Sequence, residues 1–272
     1  MSWTTIARSA IGTRHQEQQL PCQDVAAVRV LGEVAIGAVA DGAGSAAYAE
    51  VGARVAVETA LQYLGRTETW LQRRHFSWAT LPDFPPVALL HRLFSKAAHR
   101  ARQSLNRQAQ AREGDLADFA CTLLLFVATP DWLAAMQIGD GFIVVRSPDQ
   151  PYQLLFQPDK GEFANQTSFL TSPDAIATMQ VRLWADAPSF ICAGTDGVER
   201  VAIRFQDWTA FPPFFEPLEA YLEEESGPEP EDTYLVNFLT SDRLNARTDD
   251  DKTLLLCRYQ RGNYSISYAT EV

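Results

Sequence analysis

Five aspartates stand where an apolar run begins or ends. Asp41 follows the run Val34–Ala40 and precedes Gly42. Asp196 follows the apolar run that starts at Ser189 and precedes Gly197. Asp140 sits between Gly139 and Gly141. Asp24 comes just before the run that opens at Val25, and Asp250 just before the one that opens at Lys252. Apolar runs of this length read as strands, and a strand end in a packed core holds its carboxylate in a fixed direction. Fixed carboxylates that converge repel one another unless a cation sits among them. Hard oxygen donors suit Mg2+ or Mn2+. A glycine after the aspartate lets the backbone approach, so a carbonyl can join the ligand set. A single Asp-Gly pair is equally an ordinary turn, so spacing alone leaves both the turn and the metal site open.

The elements that would hold these groups follow from the surrounding pattern. Strand-like runs cover residues 25–31, 34–40, 121–128, 132–139, 142–146, 152–156, 189–194 and 252–259. Only Thr129, Pro130 and Asp131 precede the run at Trp132, and only Asp140 and Gly141 precede that at Phe142. Connections this short favour antiparallel hairpins. Helical spacing of apolar residues marks 46–64 and 86–110, the latter with Leu89, Leu90, Leu93, Ala97, Ala98 and Leu105 on one side, and a third helix is expected over 217–225. Strands in hairpins and helices in pairs predict an α+β fold, with helices covering an antiparallel core. Residues 66–86 read as a loop or insertion, and the polar stretch from Ser226 reads as a surface loop. Residues 1–272 are therefore expected to form one domain.

Composition bounds the rest. A chain of 272 residues that is 46% hydrophobic can bury a large core and lacks the composition of a disordered one. Its net charge of -11, with no run of Lys and Arg, argues against a nucleic-acid partner and against an anionic membrane. It does not exclude a phosphorylated ligand, because bound cations reverse the local field. Cys22, Cys121, Cys192 and Cys257 form no CxxC pair and read as buried free thiols. The N-terminal residues lack the apolar stretch of a secretory signal. The longest apolar run, residues 121–128, is too short to cross a bilayer, so a cytoplasmic location is expected.

Six motifs, taken in order, carry a resemblance. They are Pro21-Cys22-Gln23-Asp24, Val39-Ala40-Asp41-Gly42-Ala43-Gly44-Ser45, Ile138-Gly139-Asp140-Gly141, Gly161-Glu162-Phe163-Ala164-Asn165-Gln166-Thr167, Gly194-Thr195-Asp196-Gly197-Val198 and Asp250-Asp251-Lys252-Thr253. Together they resemble the PP2C family of metal-dependent protein phosphatases, above all its bacterial stand-alone branch. The resemblance implies an α-β-β-α sandwich, two packed antiparallel sheets flanked by helix pairs. It implies hydrolysis of phosphoserine and phosphothreonine by water activated between two Mg2+ or Mn2+ ions. In that scheme Asp41 bridges both ions and the carbonyl of Gly42 binds the second. Asp196 and Asp250 complete the first, and Asp24 acts at the second, directly or through water. Asp140, with Asp196, is implied to hold a third, weaker ion. A phosphorylated protein substrate and a cognate Ser/Thr kinase are the implied partners.

The chain departs from the family pattern in places. Gln23 stands where many members have Glu, which removes a charge beside the second metal. Ala43 stands where some members carry a His proposed as general acid. His15 is the candidate replacement, or else a structural histidine bonding its loop to Cys22. No Arg lies between Gln16 and Gln23, where members carry the residue that grips phosphate; Arg14 is the candidate, or else an exposed surface side chain. Residues 161–167 match a mobile flap, with Glu162, Asn165 and Thr167 ordering it or meeting substrate, or else a plain polar turn. Asp249 and Asp251 are expected to face solvent or to lie behind the ligands. No CysX5Arg arrangement supports thiol chemistry. Two other functions stay open: a non-catalytic phosphatase-like sensor or interaction protein, and a calcium-binding module, although the chain lacks a DxDxDG loop.

Overall fold

Side chains alternate between the two faces of a strand, and this period of two builds the layers here. The computed structural model describes residues 2–156, 168–224 and 233–261. One sheet has the order β2 (Val25–Leu31), β3 (Val34–Ala40), β4 (Leu123–Ala128), β5 (Leu133–Ile138), β8 (Gln180–Trp184). The other has the order β1 (Ser2–Ala10), β12 (Lys252–Gln260), β9 (Phe190–Gly194), β6 (Phe142–Arg146), β7 (Gln153–Leu154). All neighbours are antiparallel. A separate ribbon pairs β10 (Ile203–Arg204) with β11 (Thr209–Ala210).

Leu124, Phe126 and Ala128 of β4 meet Ile143, Val145, Ile191, Ala193 and Leu255 between the sheets. The alternate residues Leu123, Leu125 and Val127 face α2 (Ala49–Gln72) and α3 (Val87–Ala111), which pack together over the outer face. On the opposite side Phe142, Val144, Phe190, Cys192, Leu254 and Leu256 are covered by α5 (Pro212–Tyr221), α6 (Tyr234–Leu239) and α7 (Asp242–Asn245). Short helices α1 (Thr13–Glu17) and α4 (Glu199–Ala202) complete the order. The layers are helices, sheet, sheet, helices, as expected. Gly37 makes room for the core: a Cβ there would lie 2.2 Å from the ring of Phe126, its cross-strand partner.

Some elements differ from expectation. β1 was not anticipated, because its buried residues Trp3, Ile6 and Ala10 are spaced by three and four. It nevertheless pairs with β12 along its whole length. β8 also escaped notice, having Arg182 at its centre. The run 152–156 contributes strand only at Gln153–Leu154. α2 continues past residue 64 into the supposed loop. There, buried Glu68 accepts from Ser77 Oγ, the Trp78 N–H (3.1 Å) and Gln72 Nε2 (3.0 Å), pinning the chain beyond the helix. The helix expected over 217–225 starts at Pro212 instead, since a proline in the first turn has no N–H that the helix needs. Residues 161–167 and the stretch 226–232 lie outside the described residues. All four cysteines are free, and three are buried. Among the described residues no helix is long and apolar enough to cross a membrane.

Candidate metal centre

The two sheets bring the strand-end aspartates to one place. Asp41 leaves β3 with its N–H donated to Thr122 Oγ1 (2.9 Å), while its carbonyl accepts from the Thr122 N–H (2.8 Å). Asp140 occupies the turn between β5 and β6. Gln137 Nε2 donates to the carbonyls on either side of that turn, Gly139 (2.8 Å) and Gly141 (2.9 Å). Asp196 opens the helical turn that follows β9. One carboxylate oxygen from each of Asp41, Asp140 and Asp196 lies within 4.8 Å of the others. Gly42 bridges to Cys121 and donates to the Gln23 carbonyl (3.2 Å), and a Cβ there would lie 2.7 Å from the Ala49 carbonyl oxygen.

Asp24 and Asp250 adjoin this trio. Asp24 is 4% exposed and accepts from Thr195 Oγ1 at 2.7 Å. Burial, then the charges of Asp24 and Asp196, push the Asp41 carboxyl far above its usual range; a hydrogen bond to Asp24 and the charge of Asp250 add to this. Burial likewise raises Asp24. Asp196 is pushed up to about 6 by burial, then by Asp140 and Asp250. These shifts register burial first and crowding second: desolvated anions that also repel one another retain their protons. Divalent cations would offset the same charge. Gln23 Oε1, buried beside Asp24, has no hydrogen-bond partner among the described residues, which leaves one more hard oxygen unsatisfied at this place. The donor set fits Mg2+ or Mn2+.

The loop before β2 folds back onto the site. Arg14 Nη2 lies 3.0 Å from Asp250 Oδ1, with both side chains partly exposed. His15 is 4% exposed, and its Nδ1 lies 2.9 Å from Asp251 Oδ2, off the line of a directed hydrogen bond. Its partner is Asp251 rather than Cys22. Asp251 is not solvent-facing: at 3% exposure it accepts from the N–H groups of Gly12 (2.7 Å) and Gln23 (2.6 Å). It therefore ties both ends of the 12–23 segment to the chain that carries Asp250. Glu199 is a further carboxyl that the sequence reading missed, pushed up to about 7 by burial, then by Asp196 and Asp140. Its position three residues after Asp196, one helical turn on, was the available signal. The thiols of Cys22, Cys121, Cys192 and Cys257 are all pushed upward, chiefly by burial, so none is poised as a nucleophile.

Known proteins share both pattern and architecture. A family profile described as Protein phosphatase 2C matches residues 11–240. Serine/threonine-protein phosphatase 3 of Escherichia coli (strain K12) is 35% identical over 265 residues, covering 94% of this chain and 98% of that protein. The structure described as the S. agalactiae serine/threonine phosphatase superposes with a TM-score of 0.58 at 14% identity, covering 95% of this chain and 100% of that one. RsbX, crystallised in complex with magnesium, superposes with a TM-score of 0.53 at 12% identity, covering 95% and 96%. These two structures share the fold; the profile and the E. coli relative carry the assignment. The chain belongs to the protein phosphatase 2C family.

Proposed function

We propose that the protein is a metal-dependent serine/threonine phosphatase whose reaction takes place at the strand-end carboxylates. The observation that carries this reading is the meeting of Asp41, Asp140 and Asp196 within 4.8 Å, from three separate strand ends, in a chain of this family. Asp41, Asp196 and Asp250 would hold one cation. Asp41, the Gly42 carbonyl and Asp24, the last directly or through water, would hold a second. Asp140 and Asp196 would hold a weaker third. Mg2+ or Mn2+ held there would supply charge neutralisation at the phosphoryl group and acidify a coordinated water.

The chain's own groups do the rest. Asp250 restrains the Arg14 guanidinium, which keeps further N–H donors for phosphoryl oxygens. Asp251 holds the segment bearing Arg14 and Asp24 against β12. No thiol takes part. The name of the E. coli relative, at 35% identity across 94% of this chain, supports phosphoserine and phosphothreonine as substrates and hence a protein target of a Ser/Thr kinase.

Phosphate release from matched phosphoserine, phosphothreonine and phosphotyrosine peptides tests this. With Mn2+ the first two should be hydrolysed and the third spared, and chelation should abolish turnover. Hydrolysis that survives chelation, or that favours phosphotyrosine, would overturn the reading.

A further inference from the structure

Helix α3 is a basic element in an acidic protein. Residues 87–112 carry Arg92, Lys96, Arg100, Arg102, Arg107 and Arg112 with no Asp or Glu, leaving 17 basic against 34 acidic residues elsewhere. Among the described residues none of the six forms an ion pair. Arg92, Lys96, His99, Arg100, Gln103 and Arg107 are exposed and recur at three- and four-residue intervals, so they share one face. At 1.5 Å per residue the row from Arg92 to Arg107 is about 22 Å long. Its C-terminal half walls a groove of about 710 Å3 lined by His99, Arg102, Gln103, Asn106, Arg107 and Leu116. Leu116 lies close to the metal centre along the chain. Four residues on, the Ala120 carbonyl accepts from the N–H of Ala43 at 2.9 Å, and four extended residues reach no further than ~14 Å.

We propose that this face docks an acidic stretch of the phosphoprotein substrate, flanking the residue that is dephosphorylated. The proposal rests on the phosphatase reading above and adds the substrate's chemistry to it. Charge complementarity identifies the occupant: unpaired Arg and Lys grip carboxylates, and Arg does so bidentately. The groove also offers Gln103 and Asn106 amides to a peptide backbone and Leu116 to an apolar side chain. A row of about 22 Å spans six or seven extended residues. The strongly acidic remainder of the molecule repels a long uniform polyanion or a flat anionic membrane. A short tract stays within a Debye length, about 10 Å, of the basic row.

The test compares two phosphoserine peptides that differ only in a flanking tract, one of Asp and Glu, the other of Asn and Gln. With Mn2+ the wild type should show kcat/KM about tenfold higher for the acidic peptide, a preference that fades between about 50 and 300 mM salt. The variant Lys96→Gln/Arg100→Gln/Arg107→Gln should lose the preference and keep its rate on p-nitrophenyl phosphate. The corresponding triple Glu variant should reverse it. Fluorescence anisotropy with the unphosphorylated acidic peptide should rank the three proteins the same way without turnover. A wild type that binds this peptide but hydrolyses nothing would sink the phosphatase reading and leave the docking surface standing. Three outcomes would overturn the proposal: equal kcat/KM for the two peptides, proportional loss on all substrates in the variants, or tighter binding of a single-stranded DNA oligonucleotide or phosphatidylserine vesicles than of the peptide.

Discussion

Asp41 is half-buried and faced by Asp24, Asp196 and Asp250. Asp41→Asn should therefore have two effects of opposite benefit. The metal-free protein should melt at a higher temperature, because Asn is neutral among the carboxylates without having to take up a proton on folding. Hydrolysis of p-nitrophenyl phosphate at saturating Mn2+ should fall by about a hundredfold or more, because a ligand is gone. Calorimetry and a rate assay read the two separately, and an undiminished rate would remove Asp41 from the reaction. Asp251 makes a different prediction. Asp251→Ala leaves the buried N–H groups of Gly12 and Gln23 without an acceptor and should cost about 2–4 kcal/mol in urea denaturation. Asp251→Asn keeps one acceptor and should cost less; equal losses would contradict the clamp. Asp41, Asp140 and Asp196 were legible in the sequence because an apolar run ending in Asp-Gly is a local signal, and Asp24 and Asp250 because each stands just before such a run. Asp251 was not, since three consecutive aspartates look like a solvated loop. Its burial depends on donors more than two hundred residues away along the chain.

Strand ends hold ligands well only if the neighbouring chain can come close. A Cβ on Gly197 would lie 1.8 Å from the Asp251 carbonyl oxygen, and one on Gly12 would lie 2.3 Å from the Asp250 carbonyl carbon. Gly197→Ala should push the turn bearing Asp196 away from β12 and weaken Mn2+ binding, read by calorimetric titration, by about tenfold or more, with the far-UV circular dichroism retained. Gly44→Ala is the matched control, because nothing lies within 4 Å of a Cβ there, and its affinity should not change. Equal affinities in the two variants would show that this close approach does not position the ligand. The hairpins β2–β3, β4–β5 and the long helices were legible through their periods of two and 3.6. β1 and β8 were not, because each is held by a partner strand and carries little apolar pattern of its own. The basic face of α3 was equally hidden, since helical spacing scatters the six cations of residues 87–112 so that no run forms.

Over the whole molecule, proton binding and folding are linked. Folding pushes the Asp196 carboxyl from the usual 3.8 up to about 6, by burial and then by Asp140 and Asp250. Between those values the folded state binds more protons, so its contribution to metal-free stability is full below about pH 4 and is lost as pH rises through 6. Burial of Asp24 carries the loss upward to about 7. Cations replace these protons, so Mn2+ should raise the melting temperature more at about pH 7.5 than at about pH 5. Equal shifts at both pH values would contradict this linkage. The layered architecture was legible from hairpin connections and paired helices. The meeting point of its two sheets was not, because it depends on β12 lying between β1 and β9. The most direct test of the central claim is anomalous diffraction from crystals soaked in Mn2+. Peaks are predicted in contact with Asp41 and Asp196, with Asp250 and Asp24 each touching one of them. The absence of any peak among these carboxylates, in a preparation that hydrolyses phosphoserine, would contradict it.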